Sequence, residues 1–203
     1  MSGLSEMYNE CKSLREYSSK YIEYLSSLFS ESSLEEIDKI VSIFEKAREN
    51  EKIIFIIGNG GSAATASHMS EDLSKGTYAK GKKPFKTISL TDNTSYITAL
   101  ANDEGYENVF LGQLKCLLKK DDVVVSISAS GNSPNLIKAV KYANSKGAIT
   151  VGIIGFDGGK LKELCKQNFI VKTDKGMYGP VEDTHLIVGH IISTYLMYKM
   201  KDE

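Results

Sequence analysis

The amino-acid sequence predicts an α/β fold, a three-layer αβα sandwich on a five-stranded parallel sheet, preceded by an N-terminal helical hairpin. Two observations carry this reading. Beyond Glu51, short β-branched runs ending in Gly or Ser alternate with helical stretches, a pattern that implies right-handed βαβ units and a sheet covered on both faces. Ahead of Glu51, residues 5–50 hold neither Gly nor Pro and repeat their apolar side chains at helical spacing. With 41% hydrophobic and 25% charged residues, the 203-residue chain can bury the core of one such domain. A single domain over 1–203 is therefore expected, with 1–50 as an oligomerisation hairpin and 51–203 as the ligand-binding core.

In the hairpin, Leu14, Tyr17, Tyr21, Leu25 and Leu28 mark the first helix, and Leu34, Ile37, Ile40, Val41 and Phe44 mark the second. Ser32 or Ser33 is the expected cap of the second helix. An amphipathic pair outside a core needs a partner surface, so the hairpin is expected to pack on the domain and on a second subunit. Strands are expected at 53–57, 86–90, 123–127, 149–154 and 169–171, and a final apolar-striped helix at 182–200. Pro84, Pro134 and Pro180 each stand where a strand or helix should begin.

Charge and cysteine usage exclude several classes of function. The formal net charge of -1 provides no positive field to gather phosphodiester backbones, so no nucleic-acid partner is expected. No leader of basic then apolar residues opens the chain, and no apolar run approaches the roughly 20 residues that span a bilayer. The expectation is a cytoplasmic protein with no membrane partner. Cys11, Cys116 and Cys165 are odd in number and lack CxxC spacing, which argues against a disulfide framework and against a thiolate metal site.

Two loops at strand ends point to a phosphate ligand. The run ending at Ile57 leads into Gly58-Asn59-Gly60-Gly61-Ser62 and then a helix; glycines allow close backbone approach, and the helix amino end offers unpaired N–H groups to an anion. No GK[ST] follows and the spacing is not GxGxxG, so this is neither a Walker loop nor a dinucleotide fingerprint. The second loop is Ser128-Ala129-Ser130-Gly131-Asn132-Ser133, with Pro134 at the next helical turn. Its three hydroxyls exceed what capping requires and suit the oxygens of a phosphomonoester.

GNGGS after one strand and SxSGNS after another resemble the sugar isomerase (SIS) domain family. Within it the chain is most similar to the phosphoheptose isomerases. GNGGSAATASHMSEDL, TDNTSYITALANDEGYENVF, SASGNSPNLIKAV, GGKLKELC and VEDTHLIVGH occur in the same order over nearly the whole chain. The resemblance implies isomerisation of sedoheptulose 7-phosphate to D-glycero-D-manno-heptose 7-phosphate, an entry step to bacterial surface heptose. It also implies a homotetramer with active sites between subunits and a zinc ion in each. Carried over by position, the sugar-phosphate contacts are Asn59, Gly60, Gly61, Ser62, Asn102, Asp103, Ser128, Ala129, Ser130, Ser133 and Glu182. The metal positions are His68, Asp72, Glu182 and His190.

Aldose–ketose isomerisation needs a base to move a proton between adjacent carbons, plus an acid or metal to stabilise the developing oxyanion. All three histidines, His68, His185 and His190, fall in two short segments that also hold carboxylates. His68 and Asp72 are four apart and share a helix face. Asp72 is the candidate base and His190 the candidate acid. Glu71 points about 100° away and reads as a solvated charge. Glu182 and His190 lie about 12 Å apart along their helix and differ by about 80° around it, so both reach one ion only from opposite sides or from different subunits. His185 reads as packing.

Three positions depart from the family pattern. Asp72 stands for its catalytic glutamate, Glu182 for its glutamine ligand and Pro180 for an arginine, which leaves open an isomerase of a different phosphosugar. Read alone, Asn102-Asp103 before Gly105 is a turn, and Asp157-Gly158-Gly159 is a turn leading into a helix. Lys80, Lys82 and Lys83 form a solvated loop. A non-catalytic phosphosugar-binding or regulatory protein, of the kind that associates with a replication initiator, is the competing reading; such a protein would have no reason to keep His68, Asp72, Glu182 and His190 together.

Overall fold

The computed structural model describes residues 3–202 and resolves the alternation the sequence announces. The order is α1 (Gly3–Asn9), α2 (Leu14–Ser27), α3 (Glu31–Glu49), β1 (Ile53–Gly58), α4 (Gly61–Glu71), β2 (Lys86–Ser89) and α5 (Thr94–Glu104). There follow α6 (Val109–Leu117), β3 (Val123–Ser128), α7 (Pro134–Ser145), β4 (Ile149–Gly155), α8 (Leu161–Leu164), β5 (Gln167–Val171) and α9 (Tyr178–Asp202). A short π-helical turn, Asp72–Gly76, extends α4.

All five strands are parallel in the order β2-β1-β3-β4-β5. The chain runs outward from β1 to β2 and then crosses back to β3 on the other side of β1. The switch point therefore lies between β1 and β3, and beyond their carboxyl ends is the crevice in which open α/β sheets bind ligands. Both predicted phosphate loops leave the sheet there.

Two apolar layers sandwich the sheet. On one face Ile54, Ile56, Val125, Ile127, Val151 and Ile153 pack under α3, α4 and α9. On the other face Phe55, Ile57, Val124 and Ile154 meet the apolar sides of α5, α6, α7 and α8. Alternate side chains of β1, β3 and β4 go to opposite layers, so these strands read as nearly unbroken apolar runs.

The N-terminal segment differs from a simple hairpin. It holds three helices, because α1 precedes the expected pair, and α3 belongs to the core: Ile40 and Phe44 are completely buried in the sheet layer. The Glu36 carboxylate accepts a hydrogen bond from the Ile170 N–H at 3.2 Å, satisfying an amide of the edge strand β5. α1 and α2 contain no buried residue, and Tyr21 ties the amphipathic α2 to α9 by donating to Asp183 at 2.6 Å. The cap of α3 is Ser30 rather than Ser32 or Ser33. Its hydroxyl accepts from the Ser33 N–H while the Ser33 hydroxyl accepts from the Ser30 N–H, a reciprocal box that starts the helix at Glu31. The Ser32 side chain lies outside the described residues.

Two further boundaries move. α9 begins at Tyr178, four residues earlier than expected, with Pro180 in its first turn, where a missing N–H costs nothing. α5 continues through Glu104, so Asn102 and Asp103 lie in its last turn rather than in a loop, and the turn falls at Gly105, whose φ of 90° suits glycine.

Candidate active site

The two predicted phosphate loops face each other across the β1/β3 switch point. Gly60 takes a φ of 55° between β1 and α4, and the N–H groups of Gly61 and Ser62 meet no acceptor among the described residues. They point out of a helix amino end and are free for an anion. In the second loop Gly131 adopts a φ of 63° and lies against the Gly158 carbonyl so closely that no side chain fits. Ser128 Oγ accepts from the Gly131 N–H at 3.0 Å, and Ser130 Oγ accepts from the Asn132 N–H at 3.3 Å. Each of these hydroxyls is thereby oriented by the backbone and keeps its own proton to donate.

Asn59, Ser62, Ser128, Ala129, Ser130 and Ser133 line one cleft of about 210 Å³. Gly60 and Gly61 are not among its lining residues, though Gly61 abuts Glu182, which is. α9 supplies the remaining wall: Tyr178, stacked edge-on against Phe156 at 5.2 Å between ring centroids, and Glu182. Gly61 leaves room for Glu182, since a Cβ there would collide with its carboxylate. Glu182 thus presents a negative charge beside the amino end of α4, inside the cleft. Asn102 and Asp103 do not line this cleft; on α5 the Asn102 amide donates to Asp103 at 2.7 Å.

A second constellation lies one and a half turns along α4. His68 and Asp72 share the face expected of an i, i+4 pair, with Nε2 to Oδ2 at 3.6 Å. α9 crosses there and brings His190, whose Nε2 is 3.8 Å from the same Asp72 oxygen and 3.5 Å from His68 Nε2. The rings meet edge to face, 4.9 Å between centroids. Ser193 Oγ, one turn beyond His190, reaches Asp72 Oδ2 at 3.4 Å. Asp72 Oδ1 has no hydrogen-bond partner among the described residues and is left for other chemistry. Glu71, next in sequence, turns to solvent and pairs with Lys75.

These three residues fit a metal ion. Two imidazole nitrogens and one carboxylate oxygen lie within 4.8 Å of one another. A tetrahedral zinc ion with bonds of about 2.1 Å separates its ligand atoms by about 3.4 Å, close to the 3.5, 3.6 and 3.8 Å found. Glu182 is not in this group and lines the cleft between the two loops. His185, on α9, is buried, and neither ring nitrogen reaches a partner with hydrogen-bond geometry. Burial pulls its pKa down to about 4, only partly opposed by the nearby Ile154 backbone, so it is a neutral packing residue.

Sequence reasoning did not single out Tyr106, Asn135, Tyr178 or Ser193. Asn135 lies within the SxSGNSPN run, directly after Pro134, and that adjacency was the available signal. The other three come from elements distant in sequence, and only the packing of α9 and of the α5–α6 connection brings them to the site.

Comparison with known proteins shows relatives of this chain and of its fold. Residues 16–155 match the model of the SIS domain family. The phosphoheptose isomerase of Helicobacter pylori strain P12 is 40% identical over 162 residues, 80% of this chain and 83% of that protein. A probable phosphoheptose isomerase of Thermoplasma acidophilum is 41% identical over 159 residues, 77% of this chain and 86% of its own length. The structure of the phosphoheptose isomerase from Neisseria gonorrhoeae superposes with a TM-score of 0.80 at 27% identity, covering 91% of this chain and 98% of that one.

Proposed function

We infer the reaction from the fact that the chain belongs to the SIS domain family and, within it, to the phosphoheptose isomerases. It is an aldose–ketose isomerase, and its reaction is the interconversion of sedoheptulose 7-phosphate and D-glycero-D-manno-heptose 7-phosphate. The observation that carries this reading is the continuity of α4. Its amino end forms the anion cradle at Ser62, and His68 and Asp72 follow six and ten residues later. The helix therefore sets the phosphate-binding end and the reacting end of one sugar about 9 Å or more apart.

In this reading the seryl hydroxyls and the free amides of Gly61 and Ser62 hold the phosphoryl group and fix the sugar chain in the crevice. Asp72, through Oδ1, takes the proton from C1 of the ketose while His190 donates a proton to the C2 oxygen. The C1–H bond breaks, C1 and C2 become doubly bonded, and an enediol results. In the second half His190 accepts the O1 proton and Asp72 returns its proton to C2, leaving the C1 aldehyde; atoms and charge balance. His68, Asp72 and His190 are the proposed zinc ligands; with its Nε2 on the ion His190 would have no proton to give, so its role as acid belongs to the metal-free site. A bound zinc ion would polarise the carbonyl and stabilise the enediolate oxygen.

Two further features belong to the proposal. The exposed side chains Ile191, Tyr195 and Tyr198 lie along α9 beside His190, which supports a homotetramer whose subunits close the site; large exposed aromatics in one stripe suit burial against a partner. Among the described residues no helix is long and apolar enough to cross a membrane, which fits the proposed cytoplasmic location. Asp72, Glu182 and Pro180 favour a second reading, in which the same chemistry acts on another phosphosugar.

A panel of six- and seven-carbon phosphosugars followed by NMR for aldose–ketose exchange tests the proposal. Exchange of the seven-carbon ketose phosphate is expected. A wild-type protein inert towards the whole panel overturns it.

A further inference from the structure

Asn59 is held by two side chains that the reaction does not consume. Its Nδ2 donates to Asn135 Oδ1 at 3.0 Å, and the Asn135 Nδ2 donates back to Asn59 Oδ1 at 2.8 Å. Asn135 is 2% exposed, on the first turn of α7, so this amide ring joins the loop after β1 to the helix after the second loop. The Tyr106 hydroxyl, from the connection between α5 and α6, donates to the same Asn59 oxygen at 3.0 Å.

The polarity of this network is fixed from the backbone outward. The Leu136 N–H can only donate, and it bonds Asn135 Oδ1 at 2.9 Å. That oxygen is therefore an acceptor, and the Asn135 amide must turn its Nδ2 towards Asn59 Oδ1. With Asn135 and Tyr106 both donating to it, Asn59 Oδ1 has both lone pairs engaged. One side-chain N–H of Asn59 goes to Asn135, and the other is the one polar group its side chain has left for the cleft it lines.

We propose that Asn135 and Tyr106 are positioning residues that lock Asn59 as a pure hydrogen-bond donor towards the ligand and set the gap between the two phosphate loops. The site then favours a ligand oxygen at this point and disfavours an ammonium or a hydroxyl that must donate. Tyr106 makes the α5–α6 connection a third strap on the cradle, tied through one amide to both loops. The inference rests on the cleft being the phosphate site.

The test is an epistasis series on the intact protein. It measures the inhibition constant of inorganic phosphate, KM and kcat for the seven-carbon ketose phosphate, and the thermal midpoint. Asn135→Ala is expected to raise the phosphate constant and KM about tenfold, with kcat within about threefold of wild type, and Tyr106→Phe to raise both constants about threefold, the scale of one lost oriented hydrogen bond. In an Asn59→Ala background both substitutions should leave the phosphate constant unchanged, because the amide they orient is gone. If they weaken phosphate binding equally with and without Asn59, or lower only the thermal midpoint, the positioning role is overturned. A wild-type protein that neither isomerises the sugar nor binds phosphate refutes the cradle itself, a separate outcome.

Discussion

His68 on α4 and His190 on α9 face each other through their Nε2 atoms at 3.5 Å, with Asp72 Oδ2 within 3.8 Å of both. Two imidazole nitrogens and a carboxylate oxygen so placed could hold one metal ion. Residues 122 apart in sequence converge because α4 and α9 pack on the same sheet face. The site is thus a product of one helix crossing, and its chemistry can be tested one residue at a time.

Asp72→Asn and His190→Gln remove the proposed base and acid without emptying the core. Each is expected to lower kcat for the seven-carbon ketose phosphate by roughly 10²- to 10⁴-fold, the usual worth of a positioned proton-transfer group. Retained thermal midpoints with lost exchange would attribute the loss to chemistry. Activity within tenfold of wild type in either variant would remove that residue from its role.

Metal content should follow the three-residue cluster and ignore the cleft. Protein never exposed to chelator should carry about one zinc per chain, lost in His68→Ala and retained in Glu182→Gln, as read by elemental analysis. The second variant should also bind inorganic phosphate more tightly, on the order of tenfold, because a carboxylate no longer faces the anion. Loss of zinc in Glu182→Gln would instead make Glu182 a ligand, and unchanged phosphate affinity would place its charge outside the phosphate's reach.

Buried His185 makes stability acid-sensitive. Its pKa is about 4 in the fold against 6.5 when exposed. Below pH 6.5 the unfolded chain therefore binds a proton that the native state refuses. Its contribution is fully present above pH 6.5 and shrinks as pH falls towards 4, by about 2 kcal/mol at pH 5. Urea unfolding of wild type and His185→Leu at pH 7.5 and pH 5 measures this. The variant should lose about 2 kcal/mol less on acidification, and an equal loss in both proteins contradicts the assignment.

The α9 stripe should control assembly. Replacing Tyr195 and Tyr198 together by Glu is expected to shift sedimentation from tetramer towards smaller species and to lower isomerisation at the same chain concentration. An unchanged sedimentation profile would place the subunit contact elsewhere.

The sheet was legible because β1, β3 and β4 are buried on both faces and appear as apolar runs closed by Gly or Ser; their observed ends lie within a residue of those expected. The loops were legible because glycine and serine are used there beyond what capping needs. The shared face of His68 and Asp72 followed from helical spacing, and their functional reading leaned on the phosphate loop upstream and on the family resemblance. The placement of Glu182 could not follow from spacing. Two turns of α9 separate it from His190, and only the crossing with α4 decides that His190 meets the cluster while Glu182 meets Gly61. The capping of α3 was misread because several serines crowd its start, and the reciprocal Ser30/Ser33 bonds decide among them. Asn135 and Tyr106 escaped notice because an asparagine after Pro134 and a tyrosine after a turn are ordinary in sequence; their meaning is their meeting at Asn59.

In the proposed reaction the two loops jointly hold a phosphoryl group, and this binding positions the sugar for Asp72 and His190. Comparing kcat/KM for sedoheptulose 7-phosphate and for unphosphorylated sedoheptulose, in wild type and in a Ser128→Ala/Ser133→Ala variant, tests it most directly. The wild type should prefer the phosphorylated sugar by at least about 10³-fold, since each charge-assisted hydrogen bond is worth roughly 1.5–3 kcal/mol, and the variant should lose most of that preference. Equal kcat/KM for the two sugars, or a preference untouched by the double substitution, would contradict the account.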